Sequence, residues 1–326
     1  MPLLNPPDIL PEAMRFLVRV LVSASGRQMP REDLLALVAP TGLVEAMDAL
    51  GGDAGELFGD DADFRTGGAK IARASLTALR TLELVDLTGE TVFLSDSNMH
   101  WKSYGDVTAN SFAHSLLTAF LARATSSEQI EGGPVGDLRY ALNVLYAADD
   151  PLWPFVSFEP SRDQQRRPFS AEQQDKLGER SSWAIPNKEQ YTTFTRMAPY
   201  LGLARAVGSG GLIADASIAL QMLLPRGTQG DQGVAEFVAT CARALPLLDG
   251  GALHSIYEAE ESGGHAVLSP AMSLTLLQLE ADGVVKLKRL SDVGLRTIRT
   301  SSSGDHDQAV SHVTWLPKTK GKGRKL

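Results

Sequence analysis

The sequence predicts an α+β chain, mainly helical with small β-hairpins, built as tandem modules joined by helices. Three observations carry that prediction. At 326 residues the chain suits two or three domains. Its 43% hydrophobic and 21% charged residues are those of a folded protein with a core. A helix-period run that passes at once into two short alternating strands stands at residues 70–95, and weaker copies of the pattern follow downstream.

The first unit is predicted to span residues 1–95. After the Pro-rich lead-in of Asn5, Pro6, Pro7 and Asp8, "PEAMRFLVRVLVSAS" places Met14, Leu17, Val18 and Leu21 on one helical face. "MPREDLLALVAP" reads as a second helix with Pro30 in its first turn, ending before Pro40. An acidic insert over 43–64 contains seven acids and no base, and is read as a solvated loop or a docking surface. A third helix then sets Ile71, Ala72, Leu76, Leu79 and Leu82 on one side and Lys70, Arg73, Thr77 and Arg80 on the other. "LELVDL" and "ETVFLS" form a hairpin through the turn at Thr88-Gly89-Glu90. Three helices and a hairpin in that order predict a winged helix, whose third helix can enter a major groove. Its basic face is therefore read either as a DNA-reading surface or as the solvated side of a protein-binding module.

Residues 96–180 read as a helical connector with two amphipathic helices, "SFAHSLLTAFLARAT" and "VGDLRYALNVLYAAD". Trp153, Pro154, Phe155 and Phe158 form a buried connector in this reading, and Arg162, Arg166 and Arg167 lie in an exposed linker. A second winged-helix-like segment is expected over 181–218. There Phe194, Met197, Ala198 and Leu201 oppose Lys188, Thr192, Thr195 and Arg196, and a short hairpin turns at Gly208, Gly210 and Gly211.

A C-terminal winged-helix domain is predicted over 219–316. Ser269 caps its last helix, Pro270 opens it, and Gly283 ends it before the strand "VVKLKRL". That helix has almost no basic face, since Ser273, Gln278 and Glu280 are its polar residues. DNA contact here would fall to Lys286, Lys288 and Arg289 of the strand, to Arg296 and Arg299 of a long wing over 291–308, and to the tail. The basic tail over 317–326 carries Lys318, Lys320, Lys322, Arg324 and Lys325. Subtracting those five cations from the net charge of −8 leaves −13 on residues 1–316. Phosphate contacts need local positive charge, so an acidic body confines nucleic-acid binding to small basic patches.

No catalytic, cofactor-binding or metal-ligating constellation emerges. The six histidines are scattered, and His254 with Glu258 and Glu261 lacks any supporting motif, so a surface ion pair is the reading. "GDHDQ" reads as a loop. The glycines at 208–211 match neither a Rossmann nor a phosphate-loop spacing. Cys241, the single cysteine, is expected to be a small buried helix residue and fits a reducing cytosol, which gives the cytoplasmic expectation. No apolar run approaches the roughly 20 residues of a membrane span, and "MPLLNPPDILPEAMRF" does not read as a secretory signal.

Asn5-Pro6-Pro7-Asp8 and Leu10-Pro11-Glu12-Ala13-Met14-Arg15, with the chain length and the run of modules, resemble the DpdG-like family of bacterial Dpd gene islands. These islands insert 7-deazaguanine derivatives into DNA and use the mark to tell self from phage. The resemblance implies an accessory subunit on the restriction side of such an island, beside helicase and nuclease proteins, and it transfers no active site. Three functions follow as expectations. The first is a non-enzymatic winged-helix subunit of a phage-defence complex, binding protein subunits and double-stranded DNA. The second is a winged-helix transcriptional regulator reading DNA through Lys70, Arg73, Thr77 and Arg80. The third is a tandem winged-helix accessory of a chromosome-organising ATPase.

Overall fold

The computed structural model describes residues 2–5, 8–38, 62–98, 100–126, 133–148, 155, 157–159, 168–178, 185–208, 211–224, 230–254, 267–290, 294–299 and 307–316. Most of the acidic insert, Trp153 and Pro154, the three arginines at 162–167 and the whole basic tail lie outside these residues. The chain divides into two compact units. One comprises Met1–Asp137 with Glu189–Met197, the other Leu138–Lys188 with Ala198–Leu326.

The first unit opens with helix α1 (Pro11–Ser23), whose buried side is Met14, Leu17, Val18, Leu21 and Val22. Strand β1 (Gln28–Pro30) leads without a break into α2 (Arg31–Val38). Pro30 therefore closes a strand where the sequence placed it in a helical turn. Three residues are too short for an alternation to be seen, and β1 exists because it pairs with a strand over 60 residues away. Helix α3 (Ala62–Thr81) is followed by β2 (Val85–Thr88) and β3 (Thr91–Leu94). The three strands form one antiparallel sheet in the order β1-β3-β2, with Met29 opposite Val92 and Leu87 opposite Val92 from the other side. Ala72, Leu76, Leu79 and Leu82 of α3 are buried as expected, whereas Ile71 is only half-buried. Each buried leucine contributes roughly 1.5–3 kcal/mol. Helix α4 (Ala109–Thr125), N-capped by the Thr108 hydroxyl, buries Phe112, Leu116, Leu117 and Phe120. Asp137 fixes the start of the chain by accepting hydrogen bonds from the Leu3 and Leu4 amides at 3.0 and 2.6 Å.

The second unit repeats the arrangement. Helix α8 (Ser217–Leu223), strand β6 (Asp231–Gly233), α9 (Val234–Ala244), α10 (Pro270–Ala281), β7 (Val285–Lys288) and β10 (His312–Trp315) follow one another. Their sheet has the order β6-β10-β7, the same edge-centre-edge sequence as β1-β3-β2. The long connection between β7 and β10 carries its own ribbon, β8 (Arg296–Ile298) paired with β9 (Gln308–Val310). Between the two ends lie α5 (Gly136–Tyr146), α6 (Phe169–Leu177), α7 (Lys188–Tyr200) and the hairpin β4 (Ala204–Val207) and β5 (Gly211–Ala214). Phe155 forms a bridge to Leu212 on β5, with both amides hydrogen-bonded at 2.9 Å, and its ring meets Phe169 edge-on at 5.3 Å. A single bridged residue thus occupies the place that β1 and β6 fill in the other sheets.

Three helices end in one turn. After α3, α7 and α10, residues Glu83, Gly202 and Gly283 adopt φ of 56°, 70° and 65°. Their amides donate to the carbonyls of Arg80, Pro199 and Glu280, and the next amides, of Leu84, Leu203 and Val284, donate to Leu79, Ala198 and Leu279. This is the Schellman motif, in which a left-handed residue reverses the chain and satisfies the last carbonyls. Repeated three times, it throws each helix straight into the first strand of its hairpin.

Candidate nucleic-acid interface

The outer side of α3 is a row of cations. Between residues 70 and 81 the exposed positions are Lys70, Arg73 and Arg80, with Thr77 half-buried between them. At 1.5 Å per residue the row is about 15 Å long. The Thr77 hydroxyl donates to the Arg73 carbonyl at 3.0 Å, which turns it back on the helix and away from a partner. The Lys70 ammonium, itself exposed, lies 2.9 Å from Oδ2 of the half-buried Asp8. Arg73 and Arg80 are the two exposed guanidinium groups of the row. The hairpin beside them is acidic, exposing Asp86 and Glu90.

In α7, Lys188 and Arg196 are exposed and Thr192 is half-buried, one turn apart on one face. The C-terminal sheet places Lys286 and Lys288 on the same side of β7, away from buried Val285 and Leu287. Cross-strand register sets Asp231, Thr314 and Lys286 in one row across β6, β10 and β7. Lys288 Nζ donates to Asp231 Oδ1 at 2.7 Å, and the Thr314 hydroxyl donates to the same oxygen. Hydrogen bonds from Lys288 and then Thr314 hold the Asp231 carboxyl below its usual range. Lys288 is therefore tied to a carboxylate, and Lys286 is the exposed cation of this sheet face. Sequence reading missed Asp231 because 57 residues separate it from its lysine.

Helix α10 is enclosed. Residues 270–280 are all buried or half-buried, and the two hydroxyls of its middle serve the interior. The Ser273 hydroxyl accepts from the Arg299 amide at 3.0 Å, and that of Thr275 from the Ala216 amide at 3.1 Å. Ser273 is thus not an outward polar residue, because the segment carrying Arg299 folds over it. The predicted cations Lys318, Lys320, Lys322, Arg324 and Lys325 lie outside the described residues.

One serine, one aspartate and one histidine do meet near the start of α10. Asp249 accepts from both the amide and the hydroxyl of Ser269, while that hydroxyl accepts from the Met272 amide as the helix cap. His254 Nδ1 faces the Leu247 carbonyl at 3.2 Å, and its Nε2 lies 3.8 Å from Asp249. The aspartate is the group that accepts from the serine hydroxyl, and the histidine lies 3.8 Å from that same carboxylate. Burial pushes the Cys241 thiol up to about 12 and keeps it a neutral, unreactive group. Among the described residues no cluster of three or more His, Cys, Asp or Glu is placed to hold a metal, and no helix is long and apolar enough to cross a membrane.

These features define an α+β protein of small helix-and-ribbon units whose outward chemistry is localised charge. A family comparison then places it: the DpdG-like family matches residues 1–293, and the chain belongs to that family. The match takes in α1 through β7, while β8, β9 and β10 lie beyond it. No curated protein and no solved structure matches the chain.

Proposed function

We propose that this chain is a non-enzymatic winged-helix accessory subunit of a Dpd modification-restriction island, joining protein partners and guiding double-stranded DNA through small basic patches. Membership in the DpdG-like family supports the island context. The observation that carries the winged-helix reading is the repeated order of helix, short strand, two helices and hairpin, with sheets β1-β3-β2 and β6-β10-β7 alike. On this reading the modules are residues 1–95, a middle one closed by the α7 hairpin within 181–218, and 219–316, with 96–180 contributing connecting helices and 317–326 a basic tail. The Arg73 and Arg80 face of α3 meets phosphates, and the remaining surfaces meet other subunits in the cytoplasm.

The exposed cationic row of α3 also favours a second reading, a transcriptional regulator. Affinity purification of the full chain with its neighbouring gene products decides between them. Recovery of island helicase or nuclease subunits, with duplex binding of little sequence preference, supports the accessory subunit. A palindromic footprint at dimer spacing with no such partners supports the regulator, and recovery of a chromosome-organising ATPase overturns both.

A further inference from the structure

The C-terminal unit carries an open groove beside helix α9. It holds about 730 Å³ and runs along α9, between the loop Pro246–Ala252 and a lip formed by Val267, Leu268 and Arg296. Helix α9 is apolar over a wider arc than its own core needs. Val234, Phe237 and Cys241 are buried, yet at 100° per residue Ala235 and Ala239 continue the apolar surface into solvent beside Val238 and Ala242. Opposite them Val267 is 44% exposed.

The walls are already formed. The Leu253 and His254 amides both donate to the Pro246 carbonyl, at 3.0 and 3.1 Å, and Gly251 donates to Leu248 at 2.8 Å. A Cβ on Gly251 would lie 2.2 Å from the Pro246 oxygen, so only glycine lets this loop close. Two cations, Arg243 and Arg296, stand at the groove. Among the described residues neither pairs with a carboxylate. The one acid of the lining, Asp249, is hydrogen-bonded to Ser269.

We infer that this groove docks an acidic amphipathic helix of a partner protein. Alanines on the floor let a second helix approach to about 8 Å between axes, at the close end of helix packing. Apolar side chains at i, i+3 or i+4 and i+7 fill the channel, and carboxylates along the flank meet the two guanidinium groups. A phosphate backbone does not suit an alanine and valine floor that offers it no donors. The inference deepens the partner-binding reading above by naming the partner's chemistry, and its test is independent of DNA.

The test uses the full chain and two fluorescein-labelled peptides of about 18 residues, roughly five helical turns, built from Leu, Ala and Glu or with Lys in place of Glu, followed by anisotropy at low salt. The acidic peptide should bind at least about tenfold more tightly than the basic one, as two charge pairs at about 1 kcal/mol each allow. Ala239→Trp, an exposed position, should weaken it about tenfold by filling the floor, and Arg243→Glu with Arg296→Glu should reverse the preference. Equal binding of the two peptides, or an affinity unmoved by Ala239→Trp, overturns the inference. So does binding that appears only when residues 255–266 are replaced by a Gly-Ser linker, since the groove then belongs to the chain's own segment. Failure to recover island subunits, with peptide binding intact, would defeat the accessory-subunit reading and leave the groove.

Discussion

The N-terminal and C-terminal sheets share one strand order and one helix-ending turn, yet they place their cations on different elements. In the first, α3 shows Lys70, Arg73 and Arg80 to solvent while its hairpin is acidic at Asp86 and Glu90. In the last, α10 is enclosed by its own unit while the strands and wing carry the cations. Neither offers a basic helix and a basic wing together, as a stand-alone reader of duplex DNA would. Identical topology therefore does not imply identical use, because topology fixes which helix precedes the hairpin and packing decides whether that helix has a free side.

The comparison can be tested first at the shared turn, where the largest effect is expected. A Cβ on Gly202 would sit 2.8 Å from both the Ala219 amide nitrogen and Ile218 Cγ2, whereas one on Gly283 meets nothing within 4 Å. Both have positive φ, which costs a side chain about 1–2 kcal/mol. Gly202→Ala should thus lose about 3 kcal/mol and Gly283→Ala about 1 kcal/mol, read from urea midpoints at unchanged m-values. Equal losses would mean that the second turn is not held against α8 as described.

Next comes the charged row. Replacing Lys70, Arg73 and Arg80 with Glu should lower duplex affinity about tenfold or more at low salt and flatten the salt dependence, while the melting temperature falls only slightly through the lost Lys70–Asp8 pair, since all three lie off the buried stripe. Fluorescence anisotropy and a thermal melt check both parts, and an unchanged affinity would leave α3 to protein contacts.

A gain is expected at the other end. Asp231→Asn keeps an acceptor for Thr314 but releases Lys288, so nonspecific duplex binding should rise about two- to threefold, and the salt slope should steepen by about one ion. Acid should act in the same direction on the tie. Because hydrogen bonding lowers the Asp231 carboxyl below 3.8, the stabilisation it gives is complete well above that pH and is lost as pH falls below it. Titration of the carboxyl by NMR checks the order.

The smallest effect belongs to Glu83, which sits at φ 56° where the other two turns have glycine. Its side chain pairs with Arg123 at 2.5 Å. Glu83→Gly relieves about 1 kcal/mol of backbone strain and gives up a partly exposed ion pair of similar size, so stability should change by less than about 0.5 kcal/mol.

Local order was legible without coordinates. The apolar stripe of α3, its basic row, the hairpin at Gly89, the Ser269 cap and the Gly283 stop are all written within a few residues of where they act, through helical periodicity, capping oxygen and left-handed glycine. The same local signal failed for β1 and Phe155, which are strand only because a distant hairpin edge completes them. It failed again for Asp231, which meets Lys288 across a sheet whose register no local pattern specifies.

The sequence by itself determined the kinds of element, their order and the sign of each charged stretch, because propensity and patterning act over one or two turns of chain. Tertiary structure alone decided which charges face solvent, which are tied to a carboxylate, and which of three similar helices keeps an open side. Those outcomes depend on burial and on pairing between residues tens of positions apart, and only the packed chain brings such residues within reach.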